Sequence, residues 1–226
     1  MTFSIVAREQ IEEGCTRFGV GVTTNNPGIG VFCPFVSETG AVATQYQTYG
    51  EVGPEVLQSL DDGCRAEDAV PAVLSTSDRA PVLQVHALGR ESRAVHHGED
   101  LVAEQSESDA VFGDVSGDGH SVAGNTLENE ETLTGTAEAF AAASRDRTLA
   151  DRLIDALVAG DGAGGDRRET DARSAAITVV DPTAGVANEW YNDLRVDASP
   201  TPLADLRGQY DRAKRYHDEA SEEWED

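Results

Sequence analysis

The chain has 226 residues, with 42 Asp and Glu against 17 Lys and Arg, which gives a formal charge of −25 at pH 7. Proteins that bind nucleic acid present basic surfaces to the phosphates, and anionic membranes repel the same negative charge. The composition therefore argues against nucleic acid and membrane partners. Because 39% of the residues are hydrophobic, the chain can bury a core, and wholesale disorder is not expected.

The basic residues are almost all arginine, since Lys214 is the single lysine, and the acidic residues are spread along the whole chain. At molar salt, screening removes most of the self-repulsion that such a charge imposes on a compact protein. We interpret the charge as adaptation to high salt; an acidic ligand-binding surface is the alternative.

The three cysteines, Cys15, Cys33 and Cys64, are an odd number without paired spacing. They indicate neither a disulfide framework nor a metal or redox motif. Cys33, in an apolar run, is expected to be an inert buried thiol. The N-terminus lacks a secretion signal pattern, and no run is apolar enough to span a membrane. We expect a cytoplasmic protein without a cofactor or metal.

The first half of the chain predicts strands followed by short helices. Residues 2 to 7 alternate in the period of a half-buried strand. Its two faces hold Phe3, Ile5 and Ala7 on one side and Thr2, Ser4 and Val6 on the other. Further strands are predicted over 18–24, 29–35 and 40–45, with a turn at Asn25-Asn26-Pro27-Gly28.

A helix is predicted from Pro54 to Gly63, and a second over 67–74 with Pro71 as a kink. A hairpin over 81–97 and a polar, acidic loop over 99–118 follow.

The second half predicts a short strand over 121–124 and two helices, the second of which starts at Leu149 and stops at Gly160. A strand over 174–181 and a helix from Thr201-Pro202 complete the order. This order predicts two antiparallel sheets packed together with helices outside. We expect one domain over 1–210 and an acidic C-terminal tail over 211–226.

Two motifs resemble functional signatures but lack the structural context that those signatures require. Residues 160–165 spell G-x-G-x-x-G, but they follow a helix rather than a strand, so phosphate binding is not expected. His96 and His97 are adjacent on a strand and point to opposite faces. A metal-dependent hydrolase using His86, His96, His97 or His120 is the weakest alternative for function.

Thr2 is a more specific candidate for a catalytic residue than either of these motifs. Removal of Met1 would leave a threonine whose hydroxyl and free α-amine lie on one residue, so that the amine can act as the base. The reference pKa of an α-amine, about 7.7–8.0, leaves a fraction unprotonated near neutrality. The alternative is that Thr2 merely begins a strand.

Several blocks, spread in order from Thr2 to about Tyr210, resemble those of the domain of unknown function 1028 family (DUF1028). The blocks are 2–8, 40–45, Tyr49-Gly50, Gly124-Asn125, 159–168 and 193–197. The resemblance implies an α+β fold, the four-layer αββα sandwich of N-terminal nucleophile (Ntn) hydrolases. Relatives in that superfamily hydrolyse amide bonds with an N-terminal Thr, Ser or Cys.

The resemblance implies Thr2 as nucleophile and its amine as base. From chemistry we add the hypothesis that the Gly124-Asn125 turn supplies an amide donor to the developing oxyanion, because an oxyanion hole needs fixed N–H donors near the attacking atom. Asp166 and Arg168 would pair to hold the glycine-rich loop beside the site. The chain departs from the usual family pattern at Ala123 and Arg173, where the family has glutamine, and no lysine near the N-terminus is available to assist Thr2.

We therefore expect an amidohydrolase acting on C–N bonds of a small amide or peptide-like substrate rather than a typical protease, and assembled as a homo-oligomer. A non-catalytic binding or assembly protein on the same fold is the alternative. In that reading the run Trp190–Arg195 is an interface, although simple core packing explains it equally well.

Overall fold

The computed structural model describes residues 2–47, 51–165, 168, 170–183 and 190–224. The strands, in chain order, are β1 (Thr2–Glu12), β2 (Cys15–Thr24), β3 (Pro34–Val36), β4 (Gly40–Tyr46), β5 (Leu83–Gly89), β6 (Arg93–His97), β7 (Val111–Gly117), β8 (His120–Leu127), β9 (Arg173–Val180) and β10 (Asp193–Ser199). The helices are α1 (Val52–Asp61), α2 (Ala66–Leu74), α3 (Glu99–Ser106), α4 (Glu131–Ala142), α5 (Leu149–Ala163) and α6 (Pro202–Trp224). Within the described ranges, none of these helices has the length and apolarity needed to cross a bilayer.

Two antiparallel sheets form the centre of the molecule. The larger has the order β10-β9-β2-β1-β8-β7, and the smaller has the order β3-β4-β5-β6. Helices α4, α5 and α6 pack on the larger sheet, and α1 and α2 pack on the smaller. The predicted α+β sandwich of two antiparallel sheets between helical layers is confirmed.

Three buried clusters hold the four layers together. One lies between α4–α6 and the larger sheet, one between the two sheets, and one between α1–α2 and the smaller sheet. Typical members, in that order, are Phe3, Leu153 and Ile177; Val6, Ala43 and Leu88; and Val56, Val70 and Val85. The alternation predicted for β1 follows from this packing, because Phe3, Ile5 and Ala7 face the helices while Val6 faces the smaller sheet.

Two element predictions are wrong. The predicted strand over 29–35 is a single 3₁₀ turn, Ile29–Val31, followed by the short β3. The 3₁₀ turn begins after Gly28, whose φ of 75° turns the chain out of the extended conformation. The predicted loop over 99–118 contains α3 and β7; α3 buries only Leu101 and Gln105, and β7 is half-exposed at the sheet edge. Neither therefore carries a strong apolar periodicity.

Gly160 does not end α5, as the sequence predicted, but lies inside the helix where it crosses α4. A Cβ at this position would overlap Thr136 Oγ1 and lie 2.9 Å from the Thr132 carbonyl oxygen and 3.0 Å from Phe3 Cε2. The glycine therefore permits the close approach of the two helices above β1.

The close contact at Gly160 predicts that alanine substitution changes stability differently at two glycines of α5. Gly160→Ala should lower the free energy of unfolding by about 2–3 kcal/mol, because backbone and packed side chains must move. Gly162→Ala, where a Cβ meets nothing within 4 Å, should leave stability unchanged or raise it by about 0.5 kcal/mol. Urea unfolding of the two variants measures both effects, and equal midpoints would contradict the packing described.

Candidate functional site

Thr2 begins β1, a central strand of the larger sheet. It lies opposite Thr24 on β2 and opposite Asn125 on β8. Its side chain is nearly buried, with 5% of the residue exposed, and its hydroxyl donates to Thr24 Oγ1 at 3.0 Å. The predicted nucleophile therefore has a fixed position between two neighbouring strands.

Thr2 belongs to a group of buried polar residues between the two sheets, here called the interior cluster. Its members come from β1, β2, β4, β5 and β8. They are Thr2, Ser4, Thr24, Gln45, Gln84, His86, Ser121 and Asn125. Further along β1 the space between the sheets becomes apolar at Val6, so the polar groups are confined to the Thr2 end.

The Gln84 carboxamide is the centre of the interior cluster. Its Oε1 accepts from Gln45 Nε2 at 2.7 Å and from Asn125 Nδ2 at 3.0 Å. Its Nε2 donates to the Gly124 carbonyl at 2.9 Å and to His97 Nδ1 at 2.9 Å. All four of its strong hydrogen-bonding positions are thus used, and they fix the carboxamide of Asn125 beside Thr2.

A chain of hydrogen bonds leads from Gln84 to the edge of the sandwich. Because His97 Nδ1 accepts from Gln84, the ring proton lies on Nε2, which donates to Asp114 Oδ1 at 3.0 Å. This bond to His97 is the main cause that lowers the pKa of Asp114. The pair therefore orients Gln84 from outside, in the way that outer partners orient a functional group.

Ser4 and His86 have the geometry of a serine–histidine dyad, with Ser4 Oγ 2.7 Å from His86 Nε2. However, the Ser4 hydroxyl also donates to Gln45 Oε1 at 3.2 Å, and that oxygen can only accept. His86 Nε2 then donates to Ser4 and has no lone pair to accept its proton. Since both residues are fully buried, the dyad is a structural pair of the interior cluster.

Burial sets the charge state of two groups near Ser4. It lowers the pKa of His86 to about 3, so this imidazole is neutral at physiological pH. It raises the pKa of the Cys33 thiol to about 12. The predicted burial of Cys33 is confirmed, and a thiol in such surroundings is expected to be inert.

Two strand ends beside Thr2 have strained backbone conformations. Thr126, directly after Asn125, has φ 57°, and Tyr46, directly after Gln45, has φ 80°. Such angles are uncommon for residues with a Cβ, above all for a β-branched one. Neighbouring residues of α3 contact both, since Gln105 Oε1 accepts from the Thr126 N–H at 2.8 Å and Glu104 accepts from the Tyr46 hydroxyl. Strain of this kind is concentrated at functional sites.

Arg168 lies at the same end of the larger sheet as Thr2. Its carbonyl accepts from Asn25 Nδ2, and its guanidinium is 3.5 Å from Asn26 Oδ1, so it contacts the two residues after Thr24. Asn25 and Arg168 line an open cavity of about 300 Å³, together with Asp161, Gly164, Thr170, Arg173 and Pro200.

Other predicted site positions have different outcomes. Asp166 and the block Tyr49-Gly50 lie outside the described residues. Gly124 and Asn125 do not form the predicted turn; they lie in β8 and pair with Phe3 and Thr2 of β1. Arg173, at a departure from the family pattern, pairs with Asp161 beside the cavity.

The histidines do not converge. His96 bonds to the Ala80 carbonyl while His97 bonds to Asp114, so the adjacent rings point apart as predicted. Across the described ranges, no three His, Cys, Asp or Glu side chains are grouped so as to hold a metal ion.

In the run Trp190–Arg195, Tyr191 is buried against Tyr210, whereas Trp190 is 40% exposed.

Ser4, Thr24, Gln45, Gln84 and Ser121 were not singled out from the sequence. The sequence pattern that marks these residues is a polar residue at an inward-facing position of an otherwise apolar strand, as in Leu83–Gly89. Polar residues at such positions need partners on the facing sheet, because unpaired buried polar groups are costly.

Comparison with known proteins identifies the family of this chain. Residues 2–206 match a family of unknown function, DUF1028. The chain belongs to the DUF1028 family. It is similar to protein SPO2555 from Silicibacter pomeroyi, a DUF1028 protein of known crystal structure, with 30% identity and a TM-score of 0.76 over 94% of this chain and 85% of that one. No curated protein matches significantly.

The neutral state of His86 in this DUF1028 protein predicts a pH-dependent stability. Below its ordinary pKa of about 6.5 the unfolded state binds a proton that folded His86 does not, so the free energy of unfolding falls as the pH drops from about 6.5 toward about 3. We expect wild type to lose up to about 1.4 kcal/mol per pH unit more than His86→Gln in this window. Urea titrations at several pH values test this, and parallel profiles would contradict it.

Proposed function

We propose that this DUF1028 protein is an amide hydrolase of the N-terminal nucleophile class, with Thr2 as nucleophile after removal of Met1. The observation that carries the proposal is the fixed position of the Thr2 hydroxyl at the end of β1, beside Thr24 and the Asn125 carboxamide. The match over residues 2–206, which includes Thr2, supports it as far as the fold and the family extend.

The nucleophile and the base of the reaction both lie on Thr2. The free α-amine takes the hydroxyl proton as Oγ1 attacks the carbonyl carbon. The C–N bond then breaks, the proton passes to the departing amine, and the acyl group remains as an ester on Thr2. Water, deprotonated by the same amine, hydrolyses the ester and restores the free hydroxyl.

Asn125 supplies the donor for the oxyanion in this scheme. Its Nδ2 carries two hydrogens, of which one is donated to Gln84; the second has no acceptor among the described residues and can stabilise charge on the substrate oxygen. A donor that is already fixed needs no reorganisation during the reaction, which is the basis of oxyanion stabilisation. The hydrogen bonds from Gln84 to Gly124 and His97 keep this donor in place.

The cavity lined by Asn25, the residue after Thr24, favours a small substrate. A volume of about 300 Å³ suits a small molecule. We therefore propose a small amide or peptide-like compound. We further propose that the protein acts in a salt-rich cytoplasm as a homo-oligomer, so assays belong in molar potassium chloride, where the charge of −25 is screened.

Substitution of Thr2 is the direct test. In a screen of small amides that detects released ammonia or amine, Thr2→Val, which keeps the shape and loses the hydroxyl, should reduce turnover by about 10³-fold or more. Thr2→Ser keeps the hydroxyl and the amine and should retain a measurable part of the activity.

Ser4→Ala is the matched control, because Ser4 carries the other hydroxyl on the inward face of β1 and lies against His86. We expect it to retain turnover within about tenfold, provided that its circular dichroism and unfolding midpoint show a folded protein. Full activity of Thr2→Val, or loss of activity in Ser4→Ala alone, would contradict the assignment of Thr2.

A further inference from the structure

A second cavity lies at the opposite end of β1 from Thr2. It has a volume of about 450 Å³. The β1–β2, β5–β6 and β7–β8 turns surround it, contributing Gly14, Arg90 and Gly119, and the α4–α5 connection adds Arg145. Arg8, on its wall, is six residues from Thr2, or about 20 Å along an extended strand. It is therefore separate from the interior cluster.

The lining of this cavity is unusual for so acidic a chain. Four of the 17 basic residues face it, namely Arg8, Arg90, Arg145 and Arg152. Three carboxylates, those of Glu9, Glu91 and Asp118, also line it. The cavity is thus net positive in a chain of charge −25.

Three of the four guanidinium groups have no carboxylate within ion-pair distance in the described part of the chain. Arg8 donates to the carbonyls of Gly89 at 2.5 Å and Ser92 at 3.1 Å. Arg90 donates to the carbonyls of Gly14 at 3.0 Å and Glu38 at 3.1 Å. Carbonyl groups orient a guanidinium without cancelling its charge, so Arg8 and Arg90 are positioned but remain positive.

Arg145 is exposed and makes no hydrogen bond or ion pair with any described residue. It therefore has all its donors available to a ligand. Burial and the nearby Arg93 lower the pKa of Arg8, while Asp118 and Glu91 oppose this.

Arg152 forms the buried wall of the cavity. Its NH1 donates to Glu9 Oε1 at 2.9 Å, while Arg17 donates to the other Glu9 oxygen at 3.2 Å. Its guanidinium lies 4.5 Å from the centre of the Phe140 ring. The residue is 5% exposed, and its Nε has no acceptor among the described residues. Glu9 is thus fully engaged, and the buried wall still holds a cation with an unused donor.

The cavity wall is rigid where β1 meets the β7–β8 turn. Gly119 has φ 76°, its carbonyl accepts from the Arg8 N–H at 2.8 Å, and a Cβ there would lie 2.9 Å from the Arg8 carbonyl oxygen. This contact holds the Arg8 backbone against the turn, and the hydrogen bonds to the Gly89 and Ser92 carbonyls orient its guanidinium.

We propose that this cavity is a binding site for a small ligand with two or more oxyanion groups, carboxylate or phosphate. The planar donor fork of arginine matches both kinds of oxyanion, and four forks around one space suit a ligand with several of them. The site is independent of Thr2 chemistry.

Calorimetric titration of the full-length protein tests the proposal, with citrate and pyrophosphate as probes at one ionic strength fixed by potassium chloride. We expect saturable binding of one probe molecule per chain. Binding of citrate alone identifies a carboxylate site, binding of pyrophosphate alone a phosphate site, and binding of both a general oxyanion site. Absence of saturable binding by either probe overturns the proposal.

Variants locate the binding. Arg145→Gln and Arg90→Gln should each weaken it about tenfold, as expected for the loss of a charged hydrogen bond. Arg215→Gln, on the exposed side of α6, makes the same change in net charge away from the cavity and should leave affinity within about twofold. Arg145→Gln alone decides the outcome if Arg90→Gln does not fold. Equal weakening in Arg215→Gln would overturn the site.

Discussion

The hydrogen bonds of Gln84 join the two sheets at the end of the molecule where the chemistry is proposed. A buried carboxamide that leaves one donor or acceptor unpaired costs about 1–3 kcal/mol. Gln84 avoids this cost through its hydrogen bonds to Gln45, Asn125, Gly124 and His97. The sheet spacing, the orientation of Asn125 and the environment of Thr2 therefore depend on this one group.

Helix α3 adds a second constraint at the same end. It is short and buries little, yet Gln105 binds the backbone N–H of the strained Thr126, and Glu104 accepts from the Tyr46 hydroxyl. Each of these two residues follows a member of the interior cluster directly, so α3 contacts β4 and β8 beside Thr2. A peripheral helix thus helps to order the site.

The predictability of each feature follows from its physical origin. The alternation of Phe3, Ser4 and Ile5 predicts β1 because one side faces a helical layer and the other a second sheet. Helix α3 and strand β7 escape prediction because they lie at an edge, where local apolar pattern is weak. Gly160 misleads because glycine serves both as a helix end and as a site of close helix packing, and only the neighbouring Thr136 distinguishes the two. Thr2 and Asn125 could be singled out from sequence, whereas the role of Gln84 depends on contacts with Gln45 and Asn125, which lie on strands far apart in the chain.

The α-amine and hydroxyl of Thr2 can act together only after Met1 is removed, and the intact mass of the protein purified from a salt-tolerant host measures this removal. A mass lower than that of the full sequence by one methionine residue is the predicted result, because only then is the Thr2 amine free to act as a base. A protein that retains Met1 in all its molecules has a blocked amine at Thr2. That result would contradict the account of Thr2 as an N-terminal nucleophile.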